Sequence, residues 1–202
     1  MKTKTKFLGF LTFLALFVVV AFKPLEDKKT IVIDAGHGGY DVGADLYGFE
    51  EKAITETIAK RIKEQNNSAD VEIVLIRDGD ISMELKERVS IINNLKPDLV
   101  ISLHVNSNSN MMANGVQAYV PANEIFKDKS KAIAEIIIDK IAATGNLVKR
   151  NTTEAPFYLL KNANCPIMTL EIGFLSNEKD RNYITSTKGQ NEIASKILES
   201  VK

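Results

Sequence analysis

Thr30-Ile-Val-Ile-Asp34 runs directly into Ala35-Gly-His-Gly-Gly39. The first five residues form a short, mostly β-branched run that reads as a buried strand, and the glycines that follow mark a tight loop at its carboxyl end. Outward from there the pattern alternates. Ile54, Ile58 and Ile62 recur at helical spacing, Val71–Ile76 reads as a strand, and Leu85, Val89 and Ile92 mark a second amphipathic helix. Strands are expected at Asp98–Leu103, Gly115–Val120, Phe157–Leu160 and Ile167–Leu170, with helices through Ile133, Ile137 and Ile141 and through Ile193, Ile197 and Val201. This alternation predicts an α/β fold: one domain with a mostly parallel (mixed), twisted sheet of about six strands flanked by helices.

Composition sets the chemical limits. The 202 residues carry 26 Lys+Arg against 26 Asp+Glu, with 45% apolar residues. That balance, without a charge cluster, excludes a strongly basic nucleic-acid binder and an acidic disordered chain. Cys165 is the single cysteine, so no internal disulfide and no Cys-rich zinc site can form. A transition metal would have to use His37 and His104, the two histidines present, together with carboxylates.

The amino terminus reads as an export segment. Lys2, Lys4 and Lys6 precede the uncharged run Phe7–Phe22, the n-region and h-region of a signal peptide over residues 1–21. A retained anchor is the alternative, but 16 apolar residues fall short of the ~20 that span a bilayer. Residues 22–29 would be a short tether and 30–202 the functional domain. The expected product is an exported monomer of the periplasm or cell envelope, with no stable membrane span after cleavage.

Ligands in open α/β sheets bind beyond the carboxyl ends of the strands, so polar residues there are the ones to weigh. His37 lies just past the first strand, His104 directly follows Leu99–Leu103, and Glu171 directly follows Ile167–Leu170. Both histidines read either as metal ligands or as hydrogen-bonded structural imidazoles. Glu50 and Glu51 are candidates for a third ligand, or simply complement a helix dipole. Two His and one carboxylate form a recurrent catalytic zinc set, which leaves one tetrahedral position open. Glu171 would then be the free base, unless it is buried against a cation such as Arg150. Asn106, Ser107 and Asn108 read as a turn before substrate contacts, and Phe157 and Phe174 as core. The Gly36–Gly39 loop lacks the spacing of a phosphate loop.

Val32-Ile-Asp-Ala-Gly-His-Gly-Gly-Tyr-Asp-Val-Gly-Ala44 resembles the opening motif of the zinc-dependent N-acetylmuramoyl-L-alanine amidases. Gly48-Phe-Glu-Glu-Lys52, Leu75–Asp78 with Leu85–Arg88, Ile101–Ser107 and Leu170–Asn177 are similar to later motifs of that family, in family order over residues 30–200. The resemblance implies Zn²⁺ held by His37, Glu51 and His104, with Glu171 as the catalytic carboxylate and Asn106 and Arg150 as substrate contacts. It also implies hydrolysis of the amide between N-acetylmuramic acid and L-alanine in peptidoglycan, the expected partner. Zinc peptidase or carboxypeptidase action within the stem peptide, and non-catalytic peptidoglycan binding, are the alternatives. Ala35 stands where a Pro is common, and Arg150-Asn151 where Arg-Gly is usual. Some members carry a long helix that blocks the metal until an activator displaces it. Gly115–Phe157 has space for about one ordinary helix at ~1.5 Å per residue, so no activator protein is expected to be required.

Overall fold

A computed structural model describes residues 28–202. The expected signal peptide and residues 22–27 of the tether lie outside the described residues. Lys29, assigned to the tether by its sequence, already belongs to β1 (Lys29–Ala35). A small ribbon of β2 (Asp45–Leu46) and β3 (Phe49–Glu50) leads into α1 (Glu51–Gln65), followed by β4 (Val71–Leu75), α2 (Leu85–Leu95) and β5 (Leu99–Asn106). Then come β6 (Val116–Val120), α3 (Lys127–Ala142), β7 (Lys149–Glu154), α4 (Tyr158–Asn162), β8 (Ile167–Phe174), α5 (Glu178–Ile184) and α6 (Thr187–Val201).

Six strands form the main sheet in the order β4-β1-β5-β8-β6-β7. β1 pairs in parallel with β4 and β5, and β5 with β8, while β6 runs antiparallel to β8. The sheet is therefore mixed and mostly parallel, as expected. Both of its faces are buried, which is why the central strands read as continuous apolar runs. Ile31, Ile33, Ile101 and Leu103 pack against Ile58 of α1, Ile137 of α3 and Ile197 of α6. Val32, Val100 and Ile167 face the other way, onto Val89 and Ile92 of α2 and Leu160 of α4. Among the described residues no helix is long and apolar enough to cross a membrane.

Three expectations change. Phe157–Leu160 is not a strand: Phe157 is the extended N-cap of α4, and Leu159 and Leu160 are both buried within that helix. A short apolar run lacks the length to separate helix from strand by period. The sixth strand is instead β7, whose sequence Lys-Arg-Asn-Thr-Thr-Glu is almost wholly exposed at the sheet edge. α5 was not anticipated, although Asn177 caps it by accepting from the Asp180 amide.

Cys165 packs beside Ile167 in the second core layer, and burial pushes its thiol up to about 11. At pH 8 the native thiolate fraction is then roughly one in a thousand. Native protein should resist a disulfide reagent at that pH and react with one thiol once denatured. Fast native labelling would show that this layer opens.

Candidate active site

The carboxyl ends of β1, β5 and β8 meet at one cleft of about 680 Å³. β5 and β8 both run further than the sequence pattern suggests, so His104 and Glu171 sit inside strands and not beyond them. They are register partners, so neighbouring strands present an imidazole and a carboxylate side by side. His37 follows β1 in a left-handed backbone conformation, φ 62°. Glu51 opens α1 and turns inward, only 5% exposed, whereas half-exposed Glu50 lies beside Lys52.

Glu51 is the centre of the group. Its Oε1 lies 3.1 Å from His37 Nε2 and 3.0 Å from His104 Nδ1. The same oxygen accepts from the Val105 amide at 2.9 Å, and Oε2 accepts from the Ala44 amide at 2.9 Å. One ligand atom from each of His37, Glu51 and His104 falls within 4.8 Å of the others, a donor set and spacing suited to a tetrahedral divalent ion. Close packing maintains it. A Cβ added at Gly36 would stand 2.5 Å from His104 Cε1, and one at Gly43 2.5 Å from Glu51 Oε2. Burial opposes the charged form of His37, yet Glu51 and Asp41 outweigh it and push the imidazole up to about 9. Burial likewise works against the Glu51 anion, but His104 and His37 hold its carboxyl well below the usual carboxylate range.

Glu171 differs. Its Oε2 is buried and takes no hydrogen bond among the described residues. Burial pushes its carboxyl up to about 7, with His104 opposing the rise and Glu51 adding to it. No ion pair with Arg150 forms: that guanidinium donates to Gln117 Oε1 at 2.7 Å and to the Asn114 carbonyl, and covers the Phe174 ring at 5.1 Å. Arg150 lines a separate hollow with Gln117 and Tyr119. Asn106 closes β5, and its side chain accepts from the Ser107 amide at the start of the following loop. Neither residue lines the cleft. Phe174 is core, 2% exposed, but Phe157 is 42% exposed on the cleft wall and is not core.

A family model described as N-acetylmuramoyl-L-alanine amidase matches residues 31–202. The chain belongs to that family. It is 32% identical over 183 residues to the probable cell wall amidase LytH of Staphylococcus saprophyticus, covering 89% of this chain and 59% of LytH. This family member thus spans less than two thirds of that relative. The crystal structure of an N-acetylmuramoyl-L-alanine amidase from Clostridium difficile 630 superposes with a TM-score of 0.81 at 28% identity, covering 87% of this chain and 95% of that one. The CwlD amidase from Clostridioides difficile, solved in complex with the GerS lipoprotein, superposes with a TM-score of 0.79 at 30% identity, covering 86% and 96%.

Residues that sequence reasoning missed support this family member's site. Asp41 Oδ2 lies 2.9 Å from His37 Nδ1 and orients the ring, as carboxylates do behind metal-ligating histidines. Its signals were its place four residues after His37 and within the Val32–Ala44 motif. Arg88 donates to Asp34 Oδ1 at 2.5 Å, to the Ala35 carbonyl at 2.9 Å and to the His37 carbonyl at 2.6 Å. Arg77 donates to the carbonyls of Ala35 and Gly36 from a fully buried position. Arg88→Ala would leave Asp34 buried and charged, 1% exposed, and open the His37 carbonyl. It should cost about 3–5 kcal/mol in urea unfolding. A loss below 1 kcal/mol would show that the clamp is dispensable.

Proposed function

We propose that this chain hydrolyses the amide between N-acetylmuramic acid and L-alanine in peptidoglycan, with Zn²⁺ held by His37, Glu51 and His104. The observation that carries this reading is the pairing of that three-ligand group with Glu171, the register partner of His104, whose Oε2 is buried without a partner. A zinc ion bound there supplies Lewis-acid polarisation of the scissile carbonyl and a nucleophilic water near neutral pH. Glu171 has the proton work. A carboxyl balanced near pH 7 can accept a proton from the attacking water at Oε2 and then deliver it to the amide nitrogen, which leaves poorly unless protonated. Asp41 holds the His37 ring in place throughout, and the two imidazoles, both committed to the ligand group, are not free to serve as the base.

The same reading puts the protein outside the cytoplasm, at the periplasm or cell envelope, where relatives named as cell wall amidases have their substrate. It also has the chain act without an activator. CwlD was solved with a lipoprotein partner, but here the helix between β6 and β7 buries Ala134, Ile137, Ile138 and Ile141 and is committed to the core.

Purified protein with Zn²⁺ and peptidoglycan is the direct test. Intact stem peptides beginning at L-alanine should be released, and a chelator should stop the release; shortened stems would identify a peptidase instead. Glu171→Gln should lower turnover by about 10²–10⁴-fold with its zinc content unchanged. His104→Ala should lose stoichiometric zinc. Full turnover by the first variant, or full zinc in the second, overturns the assignment.

A further inference from the structure

The cleft has two unlike ends. One holds the three-ligand group and Glu171. The other is walled by the starts of two helices: Met83, Glu84 and Leu85 at α2, and Phe157 and Tyr158 at α4. Phe157 and Tyr158 are 42% and 43% exposed, and Leu85 stands open beside them. Exposed aromatic rings on a cleft wall are costly unless they meet something, and these are not loose. Phe157 is braced edge-on by Tyr119, with ring centroids 5.0 Å apart and an interplanar angle of 65°. The α4 turn that carries both rings is fastened to α2, because Asn93 donates to the Asn162 carbonyl and accepts from the Asn164 amide.

Polar groups at this end are acceptors and acids. Tyr40, 78% exposed, donates its hydroxyl to Glu84 Oε1 at 2.9 Å across the rim. Asp41 and the Ser82 hydroxyl stand on the same rim. Among the described residues Arg88 is the one guanidinium or ammonium lining the cleft, and it is buried and spent on Asp34. A carboxylate placed at this rim would meet repulsion from Glu84, with no guanidinium or ammonium free beside it. A pyranose suits it: its C–H face can lie on an aromatic ring, and its hydroxyls can donate to carboxylate and hydroxyl oxygens.

We propose that Phe157 and Tyr158, with Leu85 beside them and Glu84 at the rim, form a shelf that receives a sugar ring of the glycan strand. This rests on the amidase reading and extends it by giving the cleft a direction. The glycan lies over α4, and the acidic stem peptide leaves past Glu171, away from the Asp41–Glu84 rim. The rings touch the non-reacting part of the substrate, so their contribution belongs in KM.

Two measurements separate this shelf from the amidase reading. The first is calorimetric titration of the wild type and of Phe157→Ala, Tyr158→Ala and Phe157→Tyr with a neutral tetrasaccharide of N-acetylglucosamine, which carries no carboxylate. Each alanine variant should bind about tenfold more weakly, and Phe157→Tyr, which keeps the ring, should bind as the wild type does. The second is hydrolysis of a muramoyl peptide borne on a glycan tetrasaccharide, where the two alanine variants should raise KM by a similar factor and Phe157→Tyr should leave it unchanged. Equal tetrasaccharide affinity in wild type and both alanine variants, each with a native circular dichroism spectrum, overturns the shelf. So does a KM increase accompanied by unchanged saccharide binding, which would assign the rings to the peptide. Absence of hydrolysis by the wild type, with ring-dependent saccharide binding intact, would sink the amidase reading and leave the shelf standing.

Discussion

Three successive backbone carbonyls, those of Ala35, Gly36 and His37, have to be satisfied where β1 leaves the sheet, and two buried arginines do it. His37 must enter the left-handed region to aim its ring inward, at a cost on the order of 1–3 kcal/mol for a residue with a Cβ. Only an over-determined surrounding holds such a turn. Arg77 and Arg88 grip it from the side of β4 and α2, and Lys52 from α1 through the Gly39 carbonyl and Asp80. Each guanidinium brings a charge inside, and each is matched: Arg77 by Glu56 and Arg88 by Asp34, whose second oxygen accepts from Ser102.

That matching sorts the acids of the cleft. Carboxylates with an arginine partner are structural, because their charge is already spent. Glu51 and Glu171 have none, whereas Asp41 is met by His37 and Glu84 by the Tyr40 hydroxyl. Glu51 is left to the two imidazoles, and Glu171 Oε2 has no partner among the described residues, which is an expensive arrangement for a buried oxygen unless something passing through the site uses it. Had Arg150 reached Glu171, the carboxyl would have been held ionised and lost as a proton carrier. Instead Gln117, opposite Glu171 across the antiparallel β6–β8 pair, holds the guanidinium on its own side.

How much of this was legible followed burial symmetry. Strands buried on both faces, such as Ile31–Ile33 or Leu99–Leu103, announce themselves as unbroken apolar runs. β7 shows no such run, since an edge strand of Lys, Arg, Asn, Thr and Glu is held by its backbone ladder and by polar side-chain contacts such as Arg150 to Gln117 and Lys149 to Asp139. His37, His104 and Glu171 stood out because rare or charged residues beside buried strands are conspicuous. Arg77 and Arg88 lie within family-like motifs, but their clamping role did not show, because a buried arginine and a solvated one are the same letter. The choice between Glu50 and Glu51 could not be made from spacing either. It turns on which of two adjacent residues the start of α1 rotates inward.

Phe157 shows the opposite failure, an aromatic read as core that lies open. The residues on either side of it are what placed it there. Pro156 and the extended N-cap conformation of Phe157 start α4 abruptly, and the next turn spends its inward positions on Leu159 and Leu160. Phe157 is therefore excluded from the core by the helix it begins, and Tyr119 braces the ring without covering it. A surface under no demand but stability would gain by a polar residue at such a cap. An apolar ring kept rigid on the wall of a reaction cleft makes sense as half of a contact, the other half being the substrate.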